Sequence, residues 1–341
     1  MLRADLAEIP SYVPGKRLAA ALKLSSNEVT HPPLPSAVTA MAEAAATANR
    51  YPDMGAVDLV AAIADYLSLT PAQVAVGCGS SALCQQLVQI TCGPGDEVVF
   101  PWRSFEAYPI FSRVAGATPV PVPLTADHRI DLPAMVQAIT EHTKLIFVCN
   151  PNNPTGTTIT EQEFADFLQQ VPSDIIIALD EAYFEFMRAT DSPIATKLVR
   201  QYDNVVGLRT FSKAYGLAGV RVGYAFGSPT IMEALNKVAI PFGVNAVAQA
   251  GAIASLHGAG PAELLARTDE VTVQRERVSA AIGAAPSEAN FVWLPTVKSQ
   301  LLAARLAEHR VIVRTFPEGV RITVTNETET DQFLAAWASI N

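Results

Sequence analysis

The stretch Arg209–Gly227, "RTFSKAYGLAGVRVGYAFG", sets Lys213 among small, aromatic and apolar residues, with Arg221 eight positions further on. A lysine in such company has few partners for its charge, and lysine is seldom buried without a reason. The plain alternative is a surface loop lysine that follows a buried strand. The run just before it, "NVVGLRTFS", is apolar and of strand length, so the glycine-rich stretch starts at the carboxyl end of a strand.

Outward from there the same texture repeats. "QVAVGCG" leads into "SSALCQQLVQITC", the turn "GPGDE" into "VVF", and then come "KLIFVCNP", "EQEFADFLQQV" and "DIIIALDEAY". The strands are unbroken apolar runs rather than alternations, which is the pattern of a mostly parallel α/β sheet covered on both faces. "SPTIMEALNKVA", "NAVAQAGAIASLH" and the longer "PAELLARTDEVTVQRERVSAAIGA" read as helices, the last with a charged face suited to an exposed connector. After about Ala285 the short strands "ANFVWL", "VIVRTF" and "VRITVT" mark a small α+β domain. The expected division is an N-terminal arm over 1–28 that packs with the small domain, a large domain over 29–245, and connector helices with the small domain over 246–341.

Composition excludes several classes. Half of the 341 residues are hydrophobic and 17% are charged, ample for a core and unlike a disordered chain. The net charge of −9 with no long basic run argues against a nucleic-acid surface. The start is charged and broken by prolines, unlike a signal peptide. No apolar run reaches the roughly eighteen residues of a membrane span, so none is expected. Cys78, Cys84, Cys92 and Cys149 fall in apolar segments without a CxxC pair and read as buried free thiols in a reducing cytoplasm. The five histidines are scattered, and no metal is expected.

Four segments fall at predicted strand ends, where open α/β sheets hold ligands. In "GCGSSAL", Ser80 and Ser81 open a helix whose free N–H groups suit a phosphate, though serine is also a routine helix cap. In "NPNNPTG", Asn153 has an amide to offer a ligand, though asparagine in a turn also serves its own backbone. Asp180 closes the strand "IIIALD" and needs either a cationic partner or a capping role. Thr210, Ser212 and Arg221 bring hydroxyls and a guanidinium fork toward a phosphate. Lys213, beside cationic groups, would lose proton affinity and become a usable amine nucleophile. Together these ask for a ligand with a phosphate, a ring nitrogen, a ring oxygen and an aldehyde, which is pyridoxal 5′-phosphate.

The order "GCGSS", "NPNNPTG", "DEAY", "SKAYGLAGVRVGY" resembles the fold-type I pyridoxal-phosphate-dependent aminotransferases, within them the histidinol-phosphate aminotransferase subfamily, over nearly the whole chain. The resemblance implies a three-layer αβα fold with a mostly parallel sheet. It implies that Lys213 holds the cofactor and moves the Cα proton, that Asp180 pairs with the ring nitrogen, and that Asn153 and Tyr183 hold the ring oxygen. Ser80, Ser81, Thr210, Ser212 and Arg221 would form the phosphate cup. Phe105 in "PWRSFEAYP" would stack on the ring, and Tyr51 would reach the phosphate of the neighbouring subunit, implying a homodimer with shared sites. Tyr51 and Phe105 also read as ordinary core or interface aromatics. Arg321 would grip a substrate carboxylate, and Asn27 and Tyr12 would close over the substrate.

"GCGSSALCQQL" and "PWRSFEAYP" look like the branch assigned to phenylalanine and other aromatic amino acids, with a 2-oxo acid such as 2-oxoglutarate as exchange partner. The loop "TFPEGV" between Arg314 and Arg321 is shorter than in many histidinol-phosphate enzymes, and Ser81-Ala82 stand where many members have an acidic pair. Arg314 and Arg321 together offer a dianion two cations, so a histidinol-phosphate aminotransferase stays open. A threonine-phosphate decarboxylase and a cofactor-sensing regulator are further alternatives. The regulator ranks last: regulators of that type carry a DNA-binding domain ahead of the aminotransferase pattern, which here begins almost at once, and the charge is acidic.

Overall fold

Strand-length runs without charge are stable only where both faces are covered, and here they gather into one large sheet. The computed structural model describes residues 2, 6–7, 9–13, 15 and 18–340. Residues 1, 3–5, 8, 14, 16 and 17 of the expected arm lie outside the described residues. In chain order the strands are β1 (Leu22–Leu24), β2 (Val74–Gly77), β3 (Glu97–Trp102), β4 (Thr118–Pro123), β5 (Thr143–Cys149), β6 (Ile176–Asp180), β7 (Val205–Thr210), β8 (Gly223–Phe226), β9 (Phe291–Pro295), β10 (Val311–Phe316) and β11 (Gly319–Thr323).

The large sheet has the order β2-β8-β7-β6-β5-β3-β4. Strands β4, β3, β5, β6 and β7 pair in parallel, and β8 runs antiparallel to both of its neighbours. β2 therefore points the same way as β5, β6 and β7, and their carboxyl ends share one edge. Successive residues of the central strands enter opposite cores. Ile146, Val148, Ile177 and Leu179 pack on one face. Leu145, Phe147, Ala178 and Leu208 pack on the other. Helices cover both, giving three layers. β4 reads T-P-V-P-V-P, with prolines at every second position; an edge strand tolerates this because the missing N–H groups fall along one side.

The smaller sheet has the order β1-β10-β11-β9. β1, from the first 28 residues, pairs in parallel with β10, while β10, β11 and β9 are antiparallel. Its core joins Leu24, Val292, Val313 and Ile322 to Val278 of the helix Gly260–Ile282 and Phe333 of the helix Glu327–Ile340. The four cysteines are free, but only Cys84 and Cys149 are buried. Cys78 and Cys92 are half-buried, contrary to expectation, because each stands just past the end of an element, β2 and the helix Ser80–Thr91. Among the described residues no helix is long and apolar enough to cross a membrane.

Candidate active site

Strands β2, β5, β6 and β7 all lead into segments that line one cavity of about 480 Å³. At one end the helix Ser80–Thr91 begins with no side-chain cap, so its first N–H groups are left for a ligand. Gly79, at φ +79°, and Gly223 let the parts converge: a Cβ on Gly79 would strike the Arg221 guanidinium, and one on Gly223 would strike the Ser80 nitrogen. Arg221, itself at φ +63°, donates to Ser212 Oγ at 3.2 Å and to the Ala218 carbonyl at 3.0 Å. Thr210 Oγ1 accepts the Ser212 N–H at 3.1 Å. A bare helix N-terminus, hydroxyls and a guanidinium at one spot form an anion site.

Asp180 faces the same cavity and is 3% exposed. Its Oδ2 accepts the Tyr108 hydroxyl at 2.7 Å and its Oδ1 accepts the Ala182 N–H at 3.2 Å. Burial pushes its carboxyl up to about 6, against the pull of the Tyr108 hydrogen bond. Both donors are neutral, so the carboxylate is suited to a cationic ring nitrogen. Lys213 is half-buried, and its Nζ donates to the Ser26 carbonyl at 3.3 Å. Burial first, then the Arg321 cation, brings the amine down to about 8. Tyr183 accepts from Asn27 Nδ2 at 2.9 Å, and its ring centre lies 5.9 Å from Lys213 Nζ. Asn153 Oδ1 is occupied by Arg321 Nη1 at 2.6 Å, leaving Nδ2 as the end that can meet a ligand.

At the remaining wall Arg321 is 7% exposed. Its Nη2 donates to the Ser25 carbonyl at 2.7 Å, and its Nε is buried without a partner among the described residues. Arg314 Nη2 donates to Glu106 Oε2 at 2.6 Å and Nη1 to the Val13 carbonyl at 2.9 Å. Phe105, Ile110, Phe111, Phe316 and Tyr12 supply the apolar lining. Asn27, at φ +54°, is tied to Thr323 as well as to Tyr183, so its side chain is a brace for Tyr183.

The cavity thus brings together every residue expected from the sequence except Tyr51, which is 82% exposed and stacks on Phe242 at 4.6 Å. Sequence reasoning missed Tyr108 and Glu106, although both stand in "PWRSFEAYP"; nothing local reveals that their partners are Asp180 and Arg314. The donor set fits the pyridoxal 5′-phosphate expected above: an anion site at one end, a buried carboxylate whose hydrogen-bond donors are neutral, and a weakly basic lysine on the same cavity.

Residues 19–336 match the family described as aminotransferase class I and II. The chain is 66% identical over 342 residues to a protein of Corynebacterium efficiens called an aromatic amino acid aminotransferase, covering 100% of this chain and 99% of that one. It is 58% identical over 340 residues to a protein of the same name from Rhodococcus jostii, covering 98% of this chain and 94% of that one. Among solved structures it resembles the histidinol-phosphate aminotransferase of Sinorhizobium meliloti in complex with pyridoxal 5′-phosphate. The TM-score is 0.86 and the identity 29%, over 94% of this chain and 92% of that one.

Proposed function

The chain belongs to the class I and II aminotransferases, and from that premise we propose that it moves the amino group between an aromatic amino acid, phenylalanine first, and a 2-oxo acid such as 2-oxoglutarate. The cofactor is pyridoxal 5′-phosphate, which when bound supplies an electron sink for charge developing at the substrate Cα. Ser80, Ser81, Thr210, Ser212 and Arg221 would bind its phosphate. Asp180 would keep the ring nitrogen protonated, and Asn153 and Tyr183 would donate to the ring oxygen. Lys213 Nζ, already low in proton affinity, takes the Cα proton and returns it. Arg321 has donors left beyond the two bonds it makes to Asn153 and Ser25, and these receive the α-carboxylate.

The observation that carries the substrate choice is the Glu106–Arg314 pair at 2.6 Å. A histidinol phosphate dianion needs cations, and Glu106 already pairs with Arg314, one of the two arginines, with Arg321, that the cavity could offer it. The surrounding rings of Phe105, Phe111 and Phe316 offer apolar contact instead, worth roughly 1.5–3 kcal/mol for a buried benzyl group. The names borne by the relatives at 66% and 58% identity support the same reading. The test is kcat/KM for phenylalanine and histidinol phosphate measured side by side with one oxo acid. Phenylalanine is expected to lead by at least about tenfold; a lead of that size for histidinol phosphate overturns the assignment.

The working unit is a cytoplasmic homodimer in which Tyr51 reaches the partner's phosphate site. The support is the exposed group of Tyr51, Met54, Val57 and Ile240, together with four free thiols that suit a reducing compartment. A division into arm, large domain and small domain at about residues 28 and 245 accords with the two separate sheets.

A further inference from the structure

Tyr108 is among the most buried side chains of the protein, and nothing in the chemistry above uses it. Its ring is 0% exposed, lies flat on Phe147 at 4.4 Å and 9°, and meets Phe105 edge-on at 5.4 Å and 89°. It opens the helix Tyr108–Ala115, with its N–H on the Phe105 carbonyl at 3.1 Å and its carbonyl accepting Ser112 Oγ at 2.9 Å. Ring and backbone are therefore both held, and the hydroxyl has a defined position. From there it donates to Asp180 Oδ2 at 2.7 Å, across 72 residues of chain. Burial and the neighbouring Asp180 push its phenol far above the usual range, so it stays a donor. One short turn thus carries both Phe105, facing the cavity, and the hydroxyl behind Asp180.

We infer that Tyr108 is a positioning residue: its hydroxyl fixes the rotation of the Asp180 carboxylate and favours the ionised form that receives a protonated ring nitrogen. The inference rests on the cofactor reading above. A carboxylate free to turn in a cavity presents its lone pairs poorly, whereas one held at Oδ2 by Tyr108 and at Oδ1 by the Ala182 N–H has a fixed plane. The other titratable groups facing Asp180 do not do this. Cys149 at the end of β5 and Cys84 in the helix Ser80–Thr91 are both buried thiols with raised proton affinity, and Glu181 beside it is paired with Arg209. Lys213, beyond β7, bonds to Ser26, and Tyr183 bonds to Asn27. Tyr108 alone of these is hydrogen-bonded to the carboxylate among the described residues.

The test uses the apo-protein titrated calorimetrically with pyridoxamine 5′-phosphate, which forms no bond to Lys213, between about pH 5 and 8. Affinity falls on the acid side as Asp180 takes up a proton. The phosphate's own titration is common to all variants and cancels. Tyr108→Phe keeps the ring packing and removes the hydroxyl. It is expected to move the acid fall upward by about one pH unit and to weaken binding near pH 5 roughly tenfold. In an Asp180→Asn background the same change is expected to cost less than about twofold. Phe147→Leu, which loosens the stack but keeps the hydroxyl, is expected to lower the unfolding temperature without moving the acid fall. An acid fall unmoved in Tyr108→Phe, or moved equally by Phe147→Leu, overturns the assignment. No binding to the unaltered apo-protein overturns the cofactor reading itself, and this inference with it.

Discussion

Lys213 and Asp180 are held in the cavity at a cost in folding energy, and both costs have a sign that can be measured. Burial raises the Asp180 carboxyl to about 6, above the roughly 3.9 of an unfolded chain. Between those values the folded apo-protein keeps a proton that the unfolded chain has lost, so stability declines as pH rises through the window and stays lower above it. Asp180→Asn is therefore expected to stabilise the apo-protein by about 1–3 kcal/mol at neutral pH, a gain that vanishes toward pH 4, read by denaturant unfolding at both pH values. The same change is expected to slow turnover by about 100-fold or more, because the neutral amide stabilises a protonated ring poorly. For Lys213, held near 8 and below its unfolded value, stability is lost as pH falls from about 10 to about 8, and Lys213→Ala removes that loss. Lys213→Ala is also expected to abolish the absorbance of the lysine-bound cofactor and to lower kcat at least about 1,000-fold. Transamination near the parent rate would show that another amine does this work.

The elements around the cavity act through their ends. The helix Ser80–Thr91 is useful because its N-terminus is uncapped and because Gly223 of β8 leaves room beside the Ser80 nitrogen. Gly223→Ala is expected to push that N-terminus out of line and to weaken binding of pyridoxal 5′-phosphate to the apo-protein at least about tenfold, followed by fluorescence titration. Unchanged affinity in a folded variant would mean that the helix end is not the phosphate site. The predicted strands were readable because unbroken apolar runs of this length fit only a sheet covered on both faces. The order of the strands was not readable, since periodicity says nothing of neighbours. The antiparallel β8 between β2 and β7 and the pairing of β1 with β10 emerge only from the assembled sheets.

On the scale of the whole molecule, the two sheets are tied by polar contacts around the cavity. Arg103–Glu318 at 2.8 Å and Arg314–Glu106 at 2.6 Å join the segment after β3 to the β10–β11 hairpin, and Arg321–Asn153 at 2.6 Å crosses beside them. The face that bears Tyr51 is left apolar and exposed, which a second copy would cover. Sedimentation is expected to give about twice the chain mass of 36.3 kDa. Mixing Lys213→Ala with Tyr51→Ala chains, each nearly inactive, is expected to restore about a quarter of the sites. Half of the exchanged dimers are mixed, and each of those has one intact site of two. No recovery in a mixture that has exchanged subunits would remove Tyr51 from the shared site.

By itself the sequence determined the class of fold and the chemistry at its strand ends. Both are local matters: an apolar run must be covered, and Lys213, Asp180, Asn153 and Arg221 sit in segments short enough to be read directly. Only the tertiary structure decided which groups those residues answer to. Asp180 meets Tyr108 72 residues away, Tyr183 meets Asn27 156 away, and Arg314 meets Glu106 208 away. A side chain's type states that it needs a partner. Which partner it takes depends on distance and burial, and those exist only once β10 and β11 have closed over the ends of β5, β6 and β7.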